Sequence, residues 1–275
     1  MGMEVKYLVS LYIDPAAADA MSTFGGGGRL YLMGCLNEAL SLPPKSMIVH
    51  FHPAKPSSPY HFNTLRLWFF LKGLSYPADA YVSVDTDIIL TERFHPTVVE
   101  IFSNHACFAG VWELKGNRLR EKWYSFVVTA AQFAGVKPMP YKIAGGLVGA
   151  VKPIWENTSK LASSWFFSYY LKHPELRDAT GWGATPTEEH FLTAAFSPYY
   201  FDGSLKIYSL DFAKDAREKS SLEPFPDPTL KYCSAHSPSR ALVTAFLKER
   251  LKDYANIKVK DALKLIQDQQ ILLTR

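Results

Sequence analysis

The sequence predicts an α/β fold: a mixed, mostly parallel sheet flanked by helices, carried by a single domain with helices at its C-terminal end. Short apolar runs at residues 6–13, 46–53 and 80–90 alternate with stretches of helical spacing, the order that builds βαβ units and a parallel sheet. Residues 104–150 then break into shorter strand-like pieces, and the tail from Ser239 onward is helical and charged. With 275 residues and 48% hydrophobic content the chain can bury one sizeable core, at the upper end of what a single domain holds.

KYLVSLYI (6–13) is an apolar, β-branched run that stops at Asp14-Pro15, as a buried parallel strand does. Ala-rich helical sequence follows, then Gly25 to Gly28, then RLYLMGCLNEALSL with helical spacing. Backbone amides at that helix start could face a phosphate. No Walker lysine follows the glycines, so a mobile surface loop is the favoured reading. SMIVHFHP (46–53) is a second strand, closed by a Pro-Ser-rich turn. FNTLRLWFFLKGLSY (62–76) reads as a helix and AYVSVDTDIIL (80–90) as a strand with Asp85 and Asp87 towards its end. These segments form an α/β nucleotide-binding layer. HACFAGVWEL and KIAGGLVGAV are strand-like, with Pro138 and Pro140 between them. ENTSKLASSWFFSYYLKH (156–173) is an amphipathic helix, and TPTEEHFLTAAF (185–196) is a helix capped near Thr185 to Thr187.

A net charge of +4 is small for this length, and no long Lys/Arg run precedes the C-terminal region, so nucleic acid is not the expected partner. Cys35, Cys107 and Cys233 are odd in number and widely spaced, unlike a zinc site or a disulfide scaffold. Ordinary reduced thiols and a cytoplasmic setting are expected. The first apolar run meets Asp14 and Pro15 too early for a bilayer span or a signal sequence, and Lys6 stands where myristoylation wants Ser or Thr. Aromatic residues, 14% of the chain, could serve as platforms for sugar rings, although core packing is their commoner use.

The chemistry is concentrated in Asp85-Thr86-Asp87. In open α/β sheets ligands collect beyond the carboxyl ends of the strands. Residues two apart on a strand share a side, so both carboxylates can approach one cation. Mg²⁺ or Mn²⁺ takes hard oxygen ligands and shares its shell with substrate phosphates. A nucleotide-sugar diphosphate gains negative charge as its glycosidic bond breaks, and a divalent ion at its oxygens stabilises that charge.

The segment FNTLRLWFFLKGLSYPADAYVSVDTDIIL resembles the core of GT-A glycosyltransferases, a Rossmann-like fold in which a helix with a basic residue leads into a strand ending in the DXD motif. The resemblance implies Asp85 and Asp87 as ligands of Mn²⁺ or Mg²⁺, and Tyr12 and Arg66 at the donor's nucleotide or phosphates, with UDP the favoured nucleotide. A second match, YKIAGGLVGAV, then a long helix, then TPTEEHFLTAAF, is similar in order to the histo-blood-group type enzymes of glycosyltransferase family 6. The two matches cover roughly residues 60–200. They imply a catalytic body over 1–238, with a nucleotide-binding half 1–103 and an acceptor-binding half 104–238, and a helical extension over 239–275. His236, in KYCSAHSP, is the implied third metal ligand, and a glycan or glycoconjugate is the implied acceptor.

Glu188 and Glu189 fall in the first turn of their helix, where the macrodipole favours negative charge. Adjacent helix residues point about 100° apart, so one of them faces the cleft, and the family-6 resemblance selects Glu189. A carboxylate there could act as general base and give inversion, or stabilise or attack an oxocarbenium-like centre and give retention. Gly145 and Gly146 would let a sugar or a neighbouring backbone come close, with a bulge as the plainer explanation. Trp165 and Trp182 are candidate acceptor platforms against a commoner core role, and His190 is a candidate at the substrate or a residue packing beside its helix. The Lys-rich tail ERLKDYANIKVKDALKLIQDQQILL either closes the core, makes an oligomer contact or lies on a membrane surface near a lipid-linked acceptor; the first two are favoured. Two rivals remain. One is a phosphohydrolase similar to the haloacid dehalogenases, against which the motif's late strand and Ile89 count. The other is a non-catalytic sugar-binding protein on the same fold.

Overall fold

The computed structural model describes residues 7–12, 27–52, 78–84, 93–113, 127–132, 134–161, 188–209, 222–223, 225 and 245–274. Its elements are β1 (Tyr7–Tyr12), α1 (Gly27–Ser41), β2 (Met47–His52), β3 (Ala80–Val84), α2 (Phe94–Asn104), β4 (Cys107–Glu113), β5 (Tyr141–Val151), α3 (Lys152–Leu161), α4 (Glu188–Phe201), β6 (Leu205–Ser209), α5 (Val259–Gln269) and β7 (Ile271–Thr274). The chain is mixed α/β and divides into two compact units. One comprises Met1–Ser57, Thr86–Leu90 and Thr229–Arg275, the other Ser58–Asp85 and Thr91–Pro228.

In the first unit β1, β2 and β7 form a parallel sheet in that order, with Tyr7 opposite Met47 and Ile48 opposite Ile271. Strand, helix and parallel strand follow one another from β1 through α1 to β2, the expected βαβ unit. Gly27 and Gly28 open α1, so the glycine run is in part the first helical turn and not wholly a loop. The tail closes this unit's core. Leu247, Leu251, Val259, Ala262 and Ile266 are buried in one cluster with Leu32, Met33, Leu36, Met47 and Val49. It is not helical throughout: α5 stops and its last residues become β7, paired with β2. Gln270 makes that switch specific. Its Oε1 accepts the Met47 N–H at 2.9 Å, and its Nε2 donates to the carbonyls of Ala39 and Pro43 at 3.3 and 3.1 Å.

The second unit holds a four-stranded mixed sheet in the order β3-β5-β4-β6. β5 runs antiparallel to both β3 and β4, while β4 and β6 are parallel. β3 and β4 therefore share a direction, with α2 between them in sequence, and β5 is inserted against them. This corrects the expectation that the 80–90 strand continues a mostly parallel sheet: its described pairing, over residues 80–84, is antiparallel. A short apolar stretch such as AYVSV, half-buried along its length, marks a strand but carries no direction, which the connections decide. The helix expected from residue 156 begins at Lys152, directly after β5. Pro153 is no obstacle, since a first-turn residue has no intrahelical use for its N–H.

Helix α4 is unusual in being buried on every side from His190 to Ser197. Phe191, Leu192, Ala194, Ala195 and Phe196 join Trp155, Ile143 and Val148 in the unit's core. A helix with no exposed face must find a partner within the protein for each of its polar groups. Among the described residues no helix is long and apolar enough to cross a membrane.

Candidate functional site

The partners of α4's polar side chains lie at the first half of β5. The register between β4 and β5 slips there: Ala109 pairs with Val148 but Val111 pairs with Ile143, so four residues of β5, Gly145 and Gly146 among them, stand opposite Gly110. Such a bulge interrupts the ladder and leaves backbone groups in need of other partners. Helix α4 supplies one to Gly145 within the bulge, and bonds also to Ile143, which pairs with Val111, and to Met139, just before the strand. The Gly145 N–H donates to Glu189 Oε1 at 3.1 Å, the Ile143 N–H to Thr193 Oγ1 at 2.9 Å, and the Met139 N–H to Ser197 Oγ at 3.2 Å. Residues 189, 193 and 197 are spaced by four and so line one face of the helix. Ile143 and Gly145 are two apart on β5, so their N–H groups point to one edge, where Thr193 and Glu189 take the place of a neighbouring strand. The two hydroxyls also donate back along the helix, Thr193 to the Glu189 carbonyl at 2.5 Å and Ser197 to the Thr193 carbonyl at 2.7 Å.

The Glu189 end of this ladder is charged. Its Oε2 accepts from Lys142 Nζ at 2.5 Å, with only 15% of the glutamate side chain and 8% of the lysine side chain exposed. Burial alone would raise the Glu189 carboxyl, but the charge and hydrogen bond of Lys142 and the Gly145 amide outweigh it and hold the group below its ordinary range. His190, fully buried one residue on, is pushed down to about 3 by desolvation and then by the Lys142 charge, against the opposing pull of Glu189. It is neutral at physiological pH. The arrangement is thus an ionised carboxylate, held at both oxygens, against a glycine bulge.

Of the residues singled out by sequence, the structure joins Glu189 to Gly145 by a hydrogen bond, with Gly146 next along the strand and His190 next along the helix. His190 has no exposed surface, which accords with packing beside its helix. Glu188 is the first residue of α4 and Tyr12 the last of β1 in the first unit; neither side chain is described. Arg66, Asp85, Asp87, Trp165, Trp182 and His236 lie outside the described residues. Among the described residues no three or more His, Cys, Asp or Glu side chains gather in a metal-binding group. Sequence reasoning passed over Lys142, Thr193 and Ser197. Lys142 had a usable signal: it is the one charged residue in YKIAGGLVGAV, and a charge in a buried strand needs a partner.

No family model, curated protein or solved structure matches the chain.

Proposed function

We propose that the chain is a metal-dependent glycosyltransferase of the GT-A type, moving a sugar from a nucleotide-sugar donor, a UDP-sugar by preference, to a hydroxyl of a glycan or glycoconjugate. The observation that carries this reading is the Glu189 carboxylate seated on the Gly145 amide in a bulge of β5. β5 is the strand paired with β3, and β3 ends at Val84, opposite Leu147. The sequence runs from Val84 straight into Asp85-Thr86-Asp87. Bulges recur beside active sites, where they re-aim side chains.

In this reading Asp85 and Asp87, with His236, hold Mn²⁺ or Mg²⁺; hard carboxylate oxygens suit either ion, and a neutral imidazole suits Mn²⁺. The bound ion supplies Lewis-acid stabilisation of the departing diphosphate. Arg66 and Tyr12 serve the nucleotide and its phosphates, Gly145 and Gly146 give the sugar room, and Trp165 and Trp182 offer flat faces to an acceptor. Glu189 works at the sugar. A carboxylate held below its ordinary range is a weak proton acceptor but a permanent negative charge. That favours stabilisation of an oxocarbenium-like centre over general-base catalysis.

The ladder itself favours a second reading, in which Glu189 only tethers α4 to β5 on a non-catalytic sugar-binding protein. The two are separated by a thermal-shift panel of nucleotide sugars with and without Mn²⁺, followed by donor hydrolysis on the best hit. Mn²⁺ and UDP should each raise Tm, and more together than singly. Asp85→Ala and Asp87→Ala should lose the joint gain, while Glu189→Gln should keep donor binding and lose turnover. A joint gain that survives both aspartate substitutions would overturn the metal assignment. Turnover by Glu189→Gln equal to wild type would leave the tether.

A further inference from the structure

We propose that Lys142 is the positioning residue of the site: it fixes the Glu189 carboxylate in charge and orientation so that the oxygens stay aimed from the β5 bulge. This rests on Glu189 being the carboxylate that works at the transferred sugar.

The comparison lies within the ladder. Two of its three contacts, Thr193 with Ile143 and Ser197 with Met139, join helix to strand through neutral hydroxyls. An amide or hydroxyl at 189 would serve the Gly145 N–H as well. The ladder nevertheless carries a carboxylate at that position, and with it a second buried charge. Removing two ions from water is expensive, and a tether gains little from them that a neutral pair would not give. The ionic contact therefore answers a need for charge at 189, and Lys142 is what makes that charge tenable where both side chains are so largely buried.

Orientation follows from the same contacts. Gly145 holds Oε1 and Lys142 holds Oε2, so the carboxylate is fixed at two points and its plane cannot swing. Among the described residues, the titratable groups around it are Lys142 from β5 and the neutral, buried His190 from α4 itself. Lys142 thus supplies the positive charge on the strand side. It touches neither sugar nor metal in this scheme and acts through Glu189.

The test uses Lys142→Met and Lys142→Arg in the full chain, with carboxyl NMR of ¹³C-labelled glutamate, assigned through Glu189→Gln, and the pH profile of transfer. In wild type Glu189 should titrate below the ordinary glutamate range. In Lys142→Met its midpoint should rise by about one pH unit or more, the effect of losing a close opposite charge. The acid limb of kcat should rise with it, and Lys142→Arg should restore both. A wild-type midpoint in the ordinary range overturns the proposal even if Lys142→Met fails to fold. So does an unmoved midpoint in Lys142→Met, or a kcat loss in that variant with no shift of the acid limb. Absence of transfer in wild type with every donor would sink the glycosyltransferase reading instead, and the NMR titration would still decide whether Lys142 controls Glu189.

Discussion

The Thr193 hydroxyl accepts the Ile143 N–H of β5 at 2.9 Å while donating back along its own helix to the Glu189 carbonyl at 2.5 Å. Thr193 is fully buried, so no water replaces it. Thr193→Val keeps the shape and orphans the strand amide, which costs about 1–3 kcal/mol. Thr193→Ser retains the oxygen and should cost less. Urea denaturation of the three proteins gives the comparison; equal midpoints for Val and wild type would remove the ladder's energetic role.

On the same strand Gly149 lies under the Phe108 ring, and a Cβ built on it would stand 2.2 Å from Phe108 Cε1. Phe108 has no room to retreat, being fully buried and in ring contact with Phe102 and Phe225. Gly149→Ala is therefore expected to destabilise by about 1–3 kcal/mol through overpacking. Adding Phe108→Leu should recover part of that loss in a double-mutant cycle, because the two changes share one volume. Strict additivity would show that the strain is relieved elsewhere.

The legible parts of the fold were those encoded locally. The apolar runs of β1, β2 and β5 stood out, and Glu188 and Glu189 fell at the helix start where they were expected. What was missed depends on distant residues. β7 reads in sequence as the end of a Leu- and Ile-rich helix; it becomes a strand because β2 offers an edge and because Gln270 binds Met47, 223 positions away. β6 and α2 went unmarked, β6 being a five-residue strand that pairs with the distant β4. Lys142 advertised that it needed a counter-charge, but only the packing of α4 on β5 identifies the partner, 47 residues on, as Glu189. The bulge that frees the Gly145 amide is likewise a property of the pairing with β4 and not of the glycines alone.

Burial also sets the reactivity of two thiols. Cys35 and Cys107 are buried, and desolvation first, with a smaller contribution from Glu38 and Asp202 respectively, pushes each up to about 12. Neither forms thiolate at neutral pH, and thiolate is the reactive species. Native protein treated with a maleimide at pH 7 should leave both unmodified by peptide mass spectrometry, and urea should expose both. Rapid native labelling of Cys35 would mean that the packing of α1 against Met47 opens readily.

The acid response follows from the same cluster that defines the site. His190 titrates at about 3 in the folded chain, against an ordinary value of about 6.5, so between those limits the unfolded chain binds the extra proton. Stability contributed by neutral His190 is full above the unfolded value and declines as pH falls towards 3. Glu189 acts in the same sense at lower pH. Its folded carboxyl lies below the unfolded one, so its contribution is complete above the unfolded glutamate range, about 4.3, and is lost as pH drops through the folded value. Urea midpoints should therefore fall in two overlapping stages, the first setting in below about pH 6.5 and continuing towards pH 3 through His190, the second steepening the fall below about pH 4.3 where Glu189 adds its own loss. His190→Phe, which removes the proton-binding group but keeps an apolar ring, should flatten the first stage and leave the second. Glu189→Gln should be less stable at neutral pH, because the buried ion pair with Lys142 loses its carboxylate charge, and should show a weaker second stage. A first stage that persists unchanged in His190→Phe would assign it to another group and refute the buried neutral histidine.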